Sequence, residues 1–402
     1  MCAGQADAKP VIYHGAAITD TRGDRLRLDV DVIVERDVVV AIEDSRTEYS
    51  PRGPAGERVI DARGATIVPG LVDCHSHLTM PGGADWVARA ADPDDVQLEA
   101  AEHNARLLRQ SGVRWARDVG AARARAPEGA RALSLVARDR WRGDRDYPYV
   151  RAAGTWLTHA SFEALREISI PVADGDGLAA AAAQQLDEGA DFVKLYMDGP
   201  DADTSPFTAG EVAKVVALAR SRGAKVTAHT TQLPGARAAV AGGCDALEHG
   251  WHLDVDLVAE MAATRIVLVP TLGVLESMRT FATTTSIPRF ATEEDVIRLA
   301  ERRERAHASV RLAHSHGVVL AVGSDFGGGS LRANQLSWEI ETLAELGVPL
   351  WEALAGATWR AGDLLGEPEA GRIRVGGPAD FFLVHGDPLS DARALSRVWR
   401  VA

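Results

Sequence analysis

Two histidines separated by one residue, His75 and His77, end the apolar run Val-Pro-Gly-Leu-Val-Asp-Cys-His-Ser-His. Alternate side chains of a β-strand share a face, so both imidazoles would point the same way. Two imidazoles on one face can chelate one divalent cation. The pair therefore indicates a metal site at the end of a strand, and the residues downstream decide how specific that indication is.

Four further residues with suitable chemistry lie in or directly after strand-like segments: Lys194, His229, His249 and Asp325. The histidines and the aspartate can offer a neutral nitrogen or an oxygen to a metal, whereas a lysine ammonium has no lone pair to give. One histidine at a strand end is more often structural than a ligand. Six such residues in strands or at strand ends instead predict convergence on one metal site.

Strand-like and helix-like segments alternate through the middle of the chain, which is typical of parallel βα units. Segment 208–222 predicts a helix, because Thr208 and Glu211 form a capping-box pattern and apolar residues then recur on one face. A second Thr-x-x-acid pattern opens a predicted helix over 292–316. The predicted strands number eight: Ile67–Asp73, Val113–Val119, Tyr149–Thr155, Phe192–Met197, Lys225–His229, Ala246–His249, Ile266–Pro270 and Val319–Ser324. This pattern predicts an α/β fold, a closed (β/α)8 TIM barrel with its active site at the C-terminal ends of the strands.

Both ends of the chain differ from the middle and consist of short segments rich in β-branched residues. The strands predicted there are Val11–Ile18, Asp29–Val34, Val38–Ile42, Arg58–Asp61, Ala65–Val68, Arg372–Val375 and Asp380–Val384. We therefore expect both termini to build one small β-sandwich domain. Its predicted parts are 1–66 and 366–402, and the predicted hydrolase barrel is 67–365.

The composition excludes several classes of protein. The 402 residues are 46% hydrophobic and 25% charged, as in an ordinary globular protein. The net charge of −13 disfavours a general nucleic-acid or anionic-membrane surface. The sequence shows no signal-peptide pattern and no apolar stretch of membrane-spanning length. Three cysteines make no disulfide framework, which favours a reducing, cytoplasmic location. From the charge and the absence of a membrane-spanning stretch, we expect neither nucleic-acid nor membrane partners.

The motifs around the candidate ligands resemble those of the amidohydrolase superfamily. The run that ends at His77 is similar to that family's first-strand motif. Leu-Glu-His-Gly, which contains His249, and Gly-Ser-Asp, which ends at Asp325, are similar to its sixth-strand and eighth-strand signatures. Residues 371–380 resemble the return of its C-terminal chain into the β domain. The nearest branch contains the imidazolonepropionase-like and Xaa-Pro-dipeptidase-like enzymes.

The resemblance implies a binuclear metal site. The implied ligands form two sets and a bridge: His75, His77 and Asp325 for one ion, His229 and His249 for the other, and a carboxylated Lys194 between them. Two zinc ions are the first expectation, although manganese or cobalt also suits these ligands. The implied reaction is hydrolysis of a peptide or other amide C–N bond by a metal-bound hydroxide, with Asp325 as catalytic proton shuttle.

Four residues near the predicted mouth are candidates for binding the substrate: Tyr196, His159, Arg117 and Arg332. Tyr196 shares the inward strand face of Lys194, although packing at the barrel top explains it equally well. Either arginine could accept a carboxylate bidentately, while an ion-paired or solvated arginine is the plainer interpretation. Together these residues predict an amide substrate with a free carboxylate close to the scissile bond.

Two segments next to the candidate ligands differ from those of dipeptidase-like relatives. Met-Asp-Gly-Pro follows Tyr196 where such relatives usually carry Thr-Gly-Gly, and Thr-Thr-Gln-Leu follows His229. These differences favour a specialised small molecule or peptide, such as a modified or natural-product peptide. Hydrolysis of a cyclic amide, lactone or phosphotriester stays open as an alternative. A non-catalytic interaction protein ranks low because all six candidate ligands are present, and a homo-oligomer is compatible with each interpretation.

A second His-x-His pair, His314 and His316, lies at the C-terminal end of the predicted helix 292–316. In a βα barrel that end of a helix faces away from the active site. We therefore expect no catalytic role for this pair. The same expectation applies to four other histidines: His14, His103, His307 and His385.

Overall fold

In the computed structural model, the strands form three hydrogen-bonded sheets. The structure describes residues 9–45, 50–53, 56–125, 130–162, 165, 168–199 and 201–402, with the backbone alone at 288–289. The bounds of the strands in chain order are β1 Val11–Ile18, β2 Arg27–Glu35, β3 Val38–Asp44, β4 Arg58–Asp61, β5 Ala65–Pro69, β6 Leu71–Ser76, β7 Val113–Asp118, β8 Tyr149–Ala152, β9 Trp156–His159, β10 Ser169–Val172, β11 Phe192–Tyr196, β12 Lys225–Thr230, β13 Ala246–His249, β14 Val267–Val269, β15 Phe381–His385 and β16 Val398–Val401.

Helices connect the strands of the middle region, which gives the chain a mixed α/β architecture. Their bounds are α1 Trp86–Arg89, α2 Asp94–Gln110, α3 Leu133–Trp141, α4 Gly175–Asp187, α5 Ala209–Ser221, α6 Leu233–Ala241, α7 Val255–Thr264, α8 Leu272–Thr284, α9 Pro288–Ala291, α10 Glu293–Ser315, α11 Leu336–Glu345, α12 Leu350–Gly356 and α13 Trp359–Leu365, followed by a 3-10 turn at Ala392–Ser396.

The two ends of the chain meet in one sheet. Its strand order is β16-β15-β5-β1-β2-β3, and β4 pairs in parallel with β1. Tyr13 and Phe381 contact each other edge to face with ring centroids 5.1 Å apart, so the buried side of the sheet joins residues from both termini. The strand predicted at Arg372–Val375 does not form. That segment is irregular, and Gly377 N donates to Arg374 O in a turn.

Parallel strands of the middle region form the other two sheets. One has the order β10-β9-β11-β12-β13-β14, and the other has the order β6-β7-β8. The register aligns Tyr196 with His229, and Thr230 with His249, across neighbouring strands. Asp191 N donates to Ala152 O at 2.9 Å, which joins the two sheets where β8 approaches β11.

The predicted eighth strand, Val319–Ser324, is not a regular strand, but its backbone joins the opposite edges of the two parallel sheets. On one side Leu268 N donates to Val319 O at 2.9 Å, and Ala321 N donates to Leu268 O at 2.9 Å. On the other side Cys74 N donates to Val322 O at 2.9 Å. The segment therefore occupies the place between β14 and β6 that the prediction gave it.

The predicted first strand is two strands separated by Gly70. β5 pairs with β15 in the terminal sheet, and β6 pairs with β7. Gly70 N donates to Asp380 O at 2.8 Å, and a Cβ at this position would lie 2.5 Å from Cγ of Arg114. Because β5 ends at Pro69, the predicted boundary after residue 66 falls inside a strand of the terminal sheet.

The two predicted helices are confirmed. Thr208 and Glu211 make the reciprocal hydrogen bonds of a capping box at the start of α5. The Thr292 side chain accepts a hydrogen bond from Asp295 N at the start of α10. None of the described helices combines the length and the apolar character needed to cross a bilayer.

Candidate metal centre and active-site cavity

A cavity of about 360 Å³ lies where the parallel strands end, and the six candidate ligands all line it: His75, His77, Lys194, His229, His249 and Asp325. The structure thus brings together residues that are distributed over 251 positions of the sequence. Much of the remaining wall is apolar or aromatic: Trp86, Trp156, Phe162, Leu165, Trp251, Val274 and Met278.

Asp325 contacts both histidines of the first His-x-His pair. Its Oδ1 lies 3.3 Å from Nε2 of His75 and 3.4 Å from Nε2 of His77. The backbone holds this geometry, because Asp325 N donates to His75 O at 2.8 Å. One ligand atom each from His75, His249 and Asp325 also lie within 4.8 Å of one another. A single cation could therefore contact several of these side chains.

Each of the four histidines has one ring nitrogen held by a protein partner. The pairs are His75 Nδ1 with Glu248 Oε2 at 2.7 Å, His77 Nδ1 with Gly120 O at 2.8 Å, His249 Nδ1 with Thr271 Oγ1 at 2.7 Å, and His229 Nε2 with Asp198 Oδ2 at 3.1 Å. Such outer partners fix the ring orientation and the tautomer of metal-ligating histidines. The second ring nitrogens of His75 and His77 face Asp325, another candidate ligand, so a cation placed among them could contact all three side chains.

Glu248 is a site residue that sequence reasoning missed. Its Oε1 accepts from Arg117 Nη1 at 2.7 Å and from Thr227 Oγ1, while its Oε2 contacts His75. Burial alone would raise the pKa of Glu248, but the positive charges of Arg117 and Lys194 hold it well below its usual range. Glu248 is therefore a buried carboxylate that supports His75.

Backbone conformation explains why Glu248 and its neighbour His249 serve the same site. Strict alternation would place adjacent side chains on opposite faces of β13. His249 has a left-handed backbone with φ of 71°, which breaks the alternation. Thr271 and Asp325 also have positive φ, at 52° and 58°. Non-glycine residues rarely adopt this region, and such residues concentrate at functional sites.

Lys194 is buried beside these carboxylates. Burial is the main cause that lowers its pKa from 10.5 to about 8; the charge of Glu248 opposes the change and that of Arg117 adds to it. No ion pair involves Lys194 within the part of the chain that the structure describes. About a tenth of this amine would therefore be neutral at pH 7, far more than for an ordinary lysine.

Asp198, which departs from the pattern of dipeptidase-like relatives, holds His229 in place. Besides that contact, its carboxylate accepts from Thr231 N at 2.9 Å, from Thr231 Oγ1 at 2.6 Å and from Gln232 N at 3.1 Å. Burial would raise the pKa of Asp198, but His229 and these donors lower it. Asp198 in the altered segment thus positions a candidate ligand, and the described residues 197–199 of that segment are not among those that line the cavity.

The structure brings only one of the four predicted substrate-binding residues, Tyr196, into the cavity wall, where its ring stacks on His229 at 4.0 Å and 15°. His159 lies outside the wall, with its Nδ1 2.7 Å from Ser161 Oγ. Arg117 is buried in its ion pair with Glu248. Arg332 is exposed and donates to Pro81 O at 3.3 Å. His159, Arg117 and Arg332 make these other contacts and are not among the residues that line the cavity, so their assignment to the substrate stays a prediction.

The apolar and aromatic part of the wall was also missed, because much of it comes from segments outside the predicted strand ends. Trp86 belongs to α1, Phe162 follows β9, and Met278 lies in α8. Trp156 and Trp251 follow predicted strands, and this position could have identified them as residues of the cavity wall. The second His-x-His pair contributes nothing to the wall: His314 Nε2 lies 3.6 Å from Glu352, and His316 Nδ1 lies 2.9 Å from Leu312 O.

Known proteins and one protein family are similar to this chain over most of its length. The model of the amidohydrolase family matches residues 66–400. An uncharacterised protein of Mycobacterium tuberculosis is 29% identical over 332 residues, which are 81% of this chain and 81% of the relative. Imidazolonepropionase of a Bradyrhizobium species is 26% identical, covering 91% of this chain and 90% of the relative. The crystal structure of a Xaa-Pro dipeptidase with bound methionine is 24% identical with a TM-score of 0.81, covering 97% of each chain, and so shares the fold.

Proposed function

The chain belongs to the amidohydrolase family and is a hydrolase that acts on carbon–nitrogen bonds, and from this premise we propose that it cleaves an amide bond at a two-metal centre in the cavity. The observation that carries the proposal is the arrangement of the four histidines. Each has one ring nitrogen fixed by a protein partner, and the second nitrogens of His75 and His77 face Asp325, another candidate ligand. Histidines held in this way are typical of metal ligands.

The donor set fits two divalent cations. His75, His77 and Asp325 would hold one cation, and His229 with His249 would hold the other. Nitrogen and oxygen donors suit zinc first, with manganese or cobalt as further choices. When bound, cations in such a centre polarise the scissile carbonyl and ease the deprotonation of water.

Lys194 would link the two sets of ligands as a carbamate. A protonated amine can neither bind a metal nor react with carbon dioxide, because it has no lone pair. The lowered pKa of about 8 supports this role, since it leaves part of the lysine neutral near pH 7. The carbamate would add negative charge between His229 and Asp325, where positive cations are to be held.

Asp325 would move the proton. Burial would raise its pKa, but the charge of His75 and hydrogen bonds from both histidines of the pair hold it well below its usual range. It is therefore a carboxylate near neutral pH. Its Oδ1 can accept a proton from the attacking water and pass it to the leaving nitrogen.

We further propose that the segment from Val319 to Ser324 completes a closed (β/α)8 barrel. The hydrogen bonds that it makes to β14 on one side and to β6 on the other support this proposal. The terminal sheet, with its strands from both ends of the chain, would form the β-sandwich domain, with β5 added to its N-terminal part. Cytoplasmic location and homo-oligomer formation stay predictions.

The cavity favours an amide with a large apolar group next to the scissile bond. Its wall combines Trp86, Trp156, Phe162 and Trp251, and Lys194 is the only lysine or arginine among its described lining residues. Carboxylate recognition beside the scissile bond has therefore lost the support of Arg117 and Arg332. A modified or natural-product peptide with aromatic groups fits such a wall.

Cyclic amide hydrolysis is the second candidate. It is favoured by the relative named imidazolonepropionase, which aligns with 91% of this chain. The two candidates differ in the products, because opening a ring gives one molecule and cleaving a linear amide gives two.

The test combines metal analysis with substrate screening. Protein loaded with zinc, manganese or cobalt is offered linear N-acyl amides, cyclic amides, lactones and phosphotriesters, beside variants His77→Ala and His316→Ala. We expect two metals per chain, and amide hydrolysis by the wild type and by His316→Ala but not by His77→Ala. Turnover of lactones or phosphotriesters alone would contradict the proposed amide chemistry.

A further inference from the structure

A second cavity of about 660 Å³ lies beside the active-site cavity, between α8, α10 and α11. Both cavities have the size of ligand pockets. Met278 of α8 lines both of them, and Val274, one helical turn earlier, lines the first. The two cavities are therefore adjacent, and a flexible, unbranched thioether side chain stands at their junction.

The wall of the second cavity is largely apolar, with Met278, Phe290, Val296, Leu299 and Trp338 among its residues. Its two carboxylates are already engaged within the protein. Glu276 accepts from Arg279 at 2.9 Å and from Arg303 at 2.5 Å, and Asp295 is paired with Arg298.

Arg302 is the exception among the charged residues of this wall. It makes no hydrogen bond or ion pair with any residue that the structure describes. Arg302 is exposed to solvent although it lines this wall. Desolvation and the like charges of Arg305 and Arg298 lower its pKa, while Asp198 and Tyr196 act in the opposite direction. Arg302 therefore lies within electrostatic reach of Asp198 and Tyr196, beside the active-site cavity.

We propose that the second cavity binds the distal part of the amide substrate, and that this part is an apolar group carrying a carboxylate that pairs with Arg302. The proposal rests on the proposed amide hydrolysis and specifies its substrate. Arg298 in the same wall is neutralised by Asp295, so Arg302 is the described cation of this wall whose charge remains available to a ligand. An aryl or alkyl group would cover the apolar part of the wall, and the carboxylate would pair with Arg302, which has no partner among the described residues.

Equilibrium binding tests this proposal apart from turnover. Calorimetry on the metal-loaded protein compares phenylbutyrate with phenylbutyramide, which has the same apolar body and no charge. The comparison is made for the wild type, for Arg302→Met, and for Arg305→Met, whose exposed side chain lies outside the second cavity's wall. Thermal unfolding establishes that each variant is folded.

We expect the wild type and Arg305→Met to bind the carboxylate about tenfold more tightly than the amide, and Arg302→Met to bind both equally. Met278→Trp, which fills the junction, should weaken both ligands. A carboxylate preference that persists in Arg302→Met would overturn the proposal, because it would place the carboxylate on the metals. Absence of binding to the wild type would overturn it as well. If Arg302→Met loses the preference for phenylbutyrate over phenylbutyramide but the wild type hydrolyses no amide, the binding site would be upheld and the proposed amide hydrolysis would be refuted.

Discussion

Glu248 Oε2 lies 2.7 Å from Nδ1 of His75, although the two residues are 173 positions apart in the sequence. The same carboxylate pairs through its other oxygen with buried Arg117. A chain of charge-assisted hydrogen bonds therefore runs from Arg117 to the candidate metal ligand, and each member depends on the next. Removing the charge of Glu248 would leave Arg117 buried without a counter-charge and His75 with a weaker acceptor.

Glu248→Gln should therefore lower both the metal content and the stability. We expect metal affinity to fall roughly 10- to 100-fold, as when the outer partner of a ligating histidine is lost. The free energy of unfolding should fall by about 3 kcal/mol or more, because a buried arginine loses its partner. Metal titration and chemical unfolding measure the two effects, with the exposed Glu260→Gln as control. Normal metal affinity in Glu248→Gln would show that His75 is not positioned through Glu248.

Asp325→Asn should abolish turnover while the protein stays folded. The amide cannot accept a proton at neutral pH, although its oxygen can still contact a cation. We expect kcat to fall by at least about 10²-fold, the usual contribution of a general base. His314→Ala and His316→Ala, at the far end of α10, should keep both turnover and metal content. Near-normal kcat in Asp325→Asn would assign the proton transfer to another group.

Reconstitution of the metal-free protein should depend on bicarbonate if Lys194 becomes a carbamate. In buffer purged of carbon dioxide, added zinc should restore little activity and less than two metals per chain. Bicarbonate should restore both, because the neutral fraction of an amine with a pKa of about 8 can react. Lys194→Met should show no response to bicarbonate. Full reconstitution of the wild type without carbon dioxide would mean that Lys194 acts as a lysine.

Glu339 should make stability fall as the pH rises. Burial raises its pKa from 4.5 to about 8, and hydrogen bonds from the backbone of Gly273 and Leu272 lower it only in part. The folded state therefore holds a proton that the unfolded state has released between these two values. The resulting stability is fully present below pH 4.5 and is lost as the pH rises through about 8.

Glu339→Gln keeps the shape and cannot ionise, so it should lose this pH dependence. The free energy of unfolding of the wild type should fall relative to that of the variant by up to a few kcal/mol between pH 5 and 8, since one pKa unit corresponds to about 1.4 kcal/mol. Exposed Glu345→Gln on the same helix is the control. Parallel curves for the wild type and Glu339→Gln would contradict the assigned protonation.

The sequence was sufficient to predict that the six candidate ligands lie together, because strand ends in parallel βα units meet at one edge. The same regularity made the capping box at Thr208 predictable. The partners of the ligands were less visible. Glu248 was hidden by strand alternation, which the positive φ of His249 breaks. Arg117 was assigned to the substrate because burial and its pairing with Glu248 depend on the tertiary structure and leave no local pattern.

Met278 lines both cavities and lies on helix α8. The candidate metal ligands instead lie in or next to the parallel strands, or directly after the segment from Val319 to Ser324. Under the proposed function, α8 thus contributes to the substrate wall without contributing a candidate metal ligand. Replacing one side chain of α8 could widen or close the connection without disturbing any metal contact. Selection for a new substrate could therefore act on the helical walls while the catalytic centre is inherited unchanged.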